Sequence, residues 1–337
     1  MKRLSVRRVL CPVQLHEFSA GVLTVGSALA MRYDADLFAI HVLDRRQHLP
    51  DAVRRAGGRP SPQEAAIRLR GLIRMNSGLD PRDVTSVVRH GNAGVEILTY
   101  AGRMTADLIV VGRNLPTRWP RPRPGTEAAQ GGAAAREIAS NALCPILTVG
   151  TVGDELTVTP SLPADGVFKN IVCGVDFSET SLRVLSHALA LADDAHGLLT
   201  IVHMLPGHDR GGWPRKHERL AQQIQDLVGR RVPPGCNIHE IVAGGPPGEE
   251  LLNVARYKRA DLVVLRAAHA DEHDDHAHAA ASLIVEKAEC PVLLVPRDPD
   301  SSRGLGNGLA GAVARERGVI RSVMSESLTT PVGSPEL

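Results

Sequence analysis

Four short landmarks occur twice in this chain, in the same order, and that repetition constrains the fold more than any other feature. Arg8-Val9-Leu10-Cys11-Pro12-Val13-Gln14 parallels Asn170-Ile171-Val172-Cys173-Gly174-Val175-Asp176, 162 positions further on. Leu37-Phe38-Ala39-Ile40-His41-Val42 aligns with Leu199-Thr200-Ile201-Val202-His203-Met204 at the same spacing. Thr105-Ala106-Asp107-Leu108-Ile109-Val110-Val111 mirrors Arg259-Ala260-Asp261-Leu262-Val263-Val264-Leu265, 154 positions on, and Cys144-Pro145-Ile146-Leu147-Thr148-Val149 mirrors Cys290-Pro291-Val292-Leu293-Leu294-Val295, 146 on. The spacing drifts only through the connecting segments, as expected of a duplicated domain.

Within each copy, apolar runs of strand length alternate with stretches of helical period. Val22, Val25 and Leu29 share one helical face, as do Leu182, Leu185 and Leu189 in the second copy. Ser19 and Ser178-Glu179-Thr180 suit helix starts. The third strands are expected at 84–88 and 238–242, each followed by a turn containing Gly91 or Gly245. Strands that are apolar throughout, with no alternation, belong in a parallel sheet covered by helices on both faces. The predicted fold class is therefore α/β: two doubly wound, five-stranded parallel-sheet domains in tandem. Residues 1–150 form the first, 151–167 a Thr-, Gly- and Pro-rich linker, 168–297 the second, and 298–337 a Gly-, Ser- and Arg-rich tail expected to be disordered.

Composition removes several function classes. The 39 basic and 37 acidic residues leave a net charge of +2, so no polyanionic partner is called for, and nine aromatic residues are too few for a base-stacking surface. Nucleic-acid binding is not expected. No apolar run reaches the length of a membrane span, and no leader peptide is read at the basic start, which suggests a cytoplasmic protein. Five cysteines, widely spaced and without a CxxC pair, read as reduced, buried thiols. No catalytic triad, carboxylate pair or nicotinamide fingerprint stands in a suitable context, so no enzyme activity is expected.

The ordered set of landmarks, found twice, resembles the universal stress protein family in its tandem two-domain form, over about residues 5–150 and 168–297. The resemblance implies a Rossmann-like, adenine nucleotide alpha hydrolase-like fold and a role in stress regulation or protein interaction. It also implies pairing of the domains through their last strands, here within one chain as an intramolecular pseudo-dimer, with a homodimer of chains as a further option. Some members of that family bind ATP, through an acidic residue after strand one and a G-x2-G-x9-G-[ST] loop after strand four. In the first copy Gln14 takes the acidic position and Gly112 opens the loop, but Leu115 stands at the second glycine; either Gly125 or Gly132 closes it. Weak ATP binding is thus expected through Pro12, Gln14, Val42, Gly112, Arg113 and Gly132. In the second copy Asp176 is present, yet Arg266 replaces the first loop glycine and His278-Ala279 the Gly-Ser pair. A genuine ATP sensor or slow ATPase is the first alternative reading.

The second alternative is a metal-responsive module in the loop 269–278, where His273, His276 and His278 lie close together. Other polar residues have structural readings. His41 and His203, at the ends of second strands, are expected to hydrogen-bond to backbone, and Asp107 and Asp261 to sit at helix–strand junctions.

Overall fold

The structure is a computed structural model, and it describes residues 6–15, 20–43, 60–113, 134–135, 137–150, 167–175, 179–205, 222, 237–267 and 275–297. In the first half the elements run β1 (Arg8–Pro12), α1 (Ala20–Tyr33), β2 (Asp36–Leu43), α2 (Pro62–Asn76), β3 (Val84–His90), α3 (Ala93–Met104), β4 (Leu108–Arg113) and β5 (Ile146–Gly150), with residues 137–141 helical before β5. The second half runs β6 (Asn170–Val175), α4 (Glu179–Ala195), β7 (Leu198–Leu205), β8 (Asn237–Gly244), α5 (Pro247–Tyr257), β9 (Leu262–Arg266), α6 (Asp275–Lys287) and β10 (Val292–Val295). The third strands are longer than the apolar runs alone indicate, because His90 and Gly244 still pair with Leu43 and Leu205 on their neighbours.

The ten strands among the described residues form one sheet, in the order β3-β2-β1-β4-β5-β10-β9-β6-β7-β8. Each half is parallel throughout, and β5 and β10 meet antiparallel, with Leu147 opposite Leu293. The two halves therefore share one continuous sheet. An edge strand with bare N–H and C=O groups invites pairing, and here β5 and β10 satisfy each other. The apolar layers follow the same seam. One contains Val9, Leu29, Leu147, Leu189 and Leu293, the other Leu10, Ile40, Ile146, Val263 and Leu294.

Local chemistry explains the connections. Ser61 and Glu64 form a reciprocal capping box at the start of α2, and Asn92 Oδ1 accepts from Val95 N at 3.1 Å at the start of α3. Asp34, Thr105, His196 and Arg259 take left-handed φ values of 48–51° where helices end and parallel strands begin. At all four, the following residue's N–H reaches back to close the last turn: Ala35 to Ala30, Ala106 to Ala101, Gly197 to Ala192 and Ala260 to Ala255, at 2.8–2.9 Å. Gly91 and Gly245, at φ 144° and 138°, turn the third strands into α3 and α5, a conformation that suits glycine. With so few aromatic rings, the layers close by small residues. A Cβ on Gly26 of α1 would fall 2.2 Å from Cys11 Sγ in β1.

The expected structural residues stand at equivalent places. Asp107 Oδ2 accepts from Arg7 N and Arg8 N at 2.9 and 3.0 Å; Asp261 accepts from Lys169 N and Asn170 N at 2.7 and 3.0 Å. Each carboxylate fixes the start of its half's first strand against the fourth. Cys11, Cys144, Cys173 and Cys290 are buried thiols; Cys236 lies outside the described residues, as do Ser19, Ser178, the segment 151–166 and the tail. Because a lost acceptor strands two backbone donors, Asp107→Ala and Asp261→Ala should each lower unfolding stability by about 1–3 kcal/mol. Lying in separate halves, they should add in the double variant, as chemical denaturation would show.

Candidate functional site

In an open parallel sheet, ligands settle beyond the carboxyl ends of the strands where the strand order reverses. In the first half that point lies between β1 and β4, which pair side by side. The ladder of β1 with β2 ends at Pro12 opposite Ile40, and Val13 N still donates to Ile40 O at 2.8 Å. His41 Nδ1 lies 2.8 Å from Val13 O and ties the exit of β1 to β2. Gln14 follows, partly exposed, and Val42 stands beyond the last β1–β2 rung with its side chain in the apolar layer of Leu10 and Ile40. Gly112 sits near the end of β4, opposite Val149 and partly exposed. Pro12, Gln14, Val42 and Gly112 thus gather at one end of the sheet. Gly125 and Gly132 lie outside the described residues.

Arg113 goes elsewhere. It is only 6% exposed, and its guanidinium crosses into the second half. Nη1 donates to Val285 O at 2.8 Å and Ala288 O at 2.9 Å, and Nη2 to Cys290 O at 3.0 Å. Among the described residues no carboxylate forms an ion pair with it, and its Nε finds no acceptor. Burial brings its pKa down to about 10, partly offset by Cys290. The group rests on Gly150, where a Cβ would come within 2.5 Å of Nη2. Its side chain is therefore committed to the carbonyls at the end of α6 and just before β10, although sequence spacing groups it with the loop glycine beside it. A signal for this was present in the repeat: the matching position holds Ala267, and Gly150 is matched by Pro296.

The second half builds the same end differently. His203, buried, places Nδ1 2.9 Å from Val175 O, repeating the tie made by His41. Gly174 is closed over by Leu251 and Leu265, which a Cβ would meet at 3.1 and 2.9 Å. Arg266, half-buried, stands where the first half has Gly112. Asp176 and His273 lie outside the described residues, and His276 and His278 belong to the first turn of α6 with side chains outside them. Among the described residues no group of three or more His, Cys, Asp or Glu comes together as a metal site, and no helix is long and apolar enough to cross a membrane.

The model of the universal stress protein family matches this chain twice, over residues 5–150 and 168–296. The chain belongs to that family. A curated universal stress protein of Methanocaldococcus jannaschii is 25% identical over 147 residues, covering 40% of this chain and 85% of the relative. Among solved structures, a universal stress protein from Archaeoglobus fulgidus superposes with a TM-score of 0.58 at 15% identity, covering 88% of this chain and 99% of that one. A functionally unknown protein from Pseudomonas aeruginosa gives 0.58 at 14% identity, covering 94% and 98%. At such identities the structural likeness speaks for the fold of both halves together.

The Arg113 contact can be tested directly. Hydrogen bonds to a charged group are worth about 1.5–3 kcal/mol each, reduced here by the burial of an unpaired charge, so Arg113→Ala should destabilise by about 2 kcal/mol. Gly150→Val should cost a similar amount by displacing the guanidinium. The double variant should fall well short of the sum, a coupling read by a double-mutant cycle in urea.

Proposed function

We propose that this protein is a regulatory and interaction protein of the stress response, without turnover of its own, and that only its first half offers a weak site for an adenine nucleotide. The observation that carries this reading is the gathering of Pro12, Gln14 and Gly112 at the crevice between β1 and β4, in a half that matches the family. Gly112 leaves room for a phosphate to approach the main chain as it leaves β4, and Gln14 offers an amide where family members that bind ATP carry an acidic residue. Gly132 is the glycine favoured for closing the loop.

The weakness follows from chemistry. Leu115 interrupts the run of glycines, which costs the loop backbone N–H groups able to converge on an anion. The guanidinium of Arg113, next to Gly112, is spent on three carbonyls of the second half, so it supplies no charge to a phosphate. In the second half, Arg266 stands where the first half has Gly112, and the segment 267–278 that follows carries four acidic side chains that repel a triphosphate.

Calorimetric titration of the full chain with magnesium ATP should give one weak site, with a Kd from about 100 μM to 1 mM. Gly112→Trp should abolish the heat. Absence of heat at millimolar ATP, or a titration unchanged by Gly112→Trp, would remove the nucleotide part of this reading.

A further inference from the structure

The two halves are related by a local two-fold axis, and its position can be read from residues that contact their own counterparts. Leu147 and Leu293 occupy the same place in the repeat and pair directly across β5 and β10. Arg32 and Asp194, 162 positions apart, are likewise counterparts, and they too meet. Arg32 Nε and Nη2 donate to Asp194 Oδ2 at 3.1 and 2.8 Å, and Nη2 also donates to Asp194 O at 3.1 Å. Tyr33 adds its hydroxyl to the same carboxylate oxygen at 3.4 Å. The axis therefore passes between Leu147 and Leu293 and between the C-terminal ends of α1 and α4.

On such an axis, two identical halves would place identical residues face to face. A pair of first halves would oppose arginine to arginine, and a pair of second halves aspartate to aspartate. Either arrangement replaces three donor contacts on one carboxylate by like charges at contact distance. The other face of the sheet is also one-sided. Arg113 of the first half fills the carbonyl pocket of Val285, Ala288 and Cys290, while its counterpart Ala267 has nothing to offer the first half. Two second halves would have alanine at both such positions. Thr148, whose Oγ1 donates to Val292 O at 3.3 Å, likewise has a repeat counterpart, Leu294, that carries no hydroxyl.

We infer that the seam surface of the first half is built to fit the second half of this chain and to reject a copy of itself, with Arg32 and Asp194 as the selecting pair. The surface takes a partner that presents a carboxylate where it presents a guanidinium. A chain so made closes on itself through β5 and β10, and a second chain can enter the seam only by exchanging unlike halves. Specificity of this kind rests as much on the repulsion of wrong pairings as on the attraction of the right one.

Single substitutions in the intact chain recreate the rejected contacts at the axis. Arg32→Asp sets two carboxylates against each other, and Asp194→Arg two guanidiniums. Hydrogen exchange of the β5 and β10 amides reads seam opening directly. Each single charge reversal should speed that exchange by about five- to tenfold, the range expected for converting a partly exposed attractive pair into a repulsive one. The exchanged pair, Arg32→Asp with Asp194→Arg, should return it to within about twofold of the unmodified protein. The neutral variants Arg32→Gln and Asp194→Asn should fall between and serve as the readout if a reversal prevents folding. Unchanged exchange in both reversals, a double variant no better than the singles, or neutral variants as open as the reversals would each overturn the inference.

Discussion

The antiparallel contact between β5 and β10 is the constraint on which the rest of the molecule depends. Each five-stranded half has its last strand at the middle of the molecule, and a strand there cannot leave its ladder unpaired while buried. Pairing β5 with β10 satisfies both ladders and joins the apolar layers on the two faces of the sheet into shared cores. Among the described residues the outer strands, β3 and β8, are the edges of the sheet and are correspondingly more exposed, with Thr85, His90, Asn237 and His239 each reaching solvent.

Duplication followed by divergence explains where the halves agree and where they differ. They agree wherever the fold itself demands a residue. An aspartate ties strand one to strand four, a histidine ties the exit of strand one to strand two, and a left-handed residue follows the helices that feed strands two and four of each half. They differ at the seam and at the crevice. Arg113 against Ala267 and Arg32 against Asp194 make the seam asymmetric, and Gly112 against Arg266 makes the two crevices unequal. Adjacent residues at the end of β4 thus have different surroundings: Gly112 is partly exposed, while Arg113 is buried and clamps the neighbouring half.

Much of the fold was legible because strand and helix periods are local properties, and because seeing each pattern twice separates signal from accident. The parallel five-stranded halves, the buried thiols Cys11, Cys144, Cys173 and Cys290, the backbone tie of His41 and the place of Asp107 at a helix–strand junction follow from sequence pattern; the bonds of Asp107 to Arg7 N and Arg8 N do not. The crevice end was legible in part, since Pro12, Gln14 and Gly112 stand at strand ends whose order in the sheet follows from the fold class. Arg113 was not. Its neighbour in sequence belongs to the crevice, and in a strand successive side chains point to opposite faces, so adjacency in the chain says nothing about shared surroundings.

By itself, the sequence determined that one α/β unit occurs twice and which positions in the two copies correspond. Only the tertiary structure decided which corresponding positions touch. Leu147 with Leu293, and Arg32 with Asp194, come together because an axis runs between them, and an axis is a property of how two folded halves are placed. No local pattern encodes it, since the residues it joins lie about 150 positions apart and each is unremarkable among its neighbours until the sheet closes.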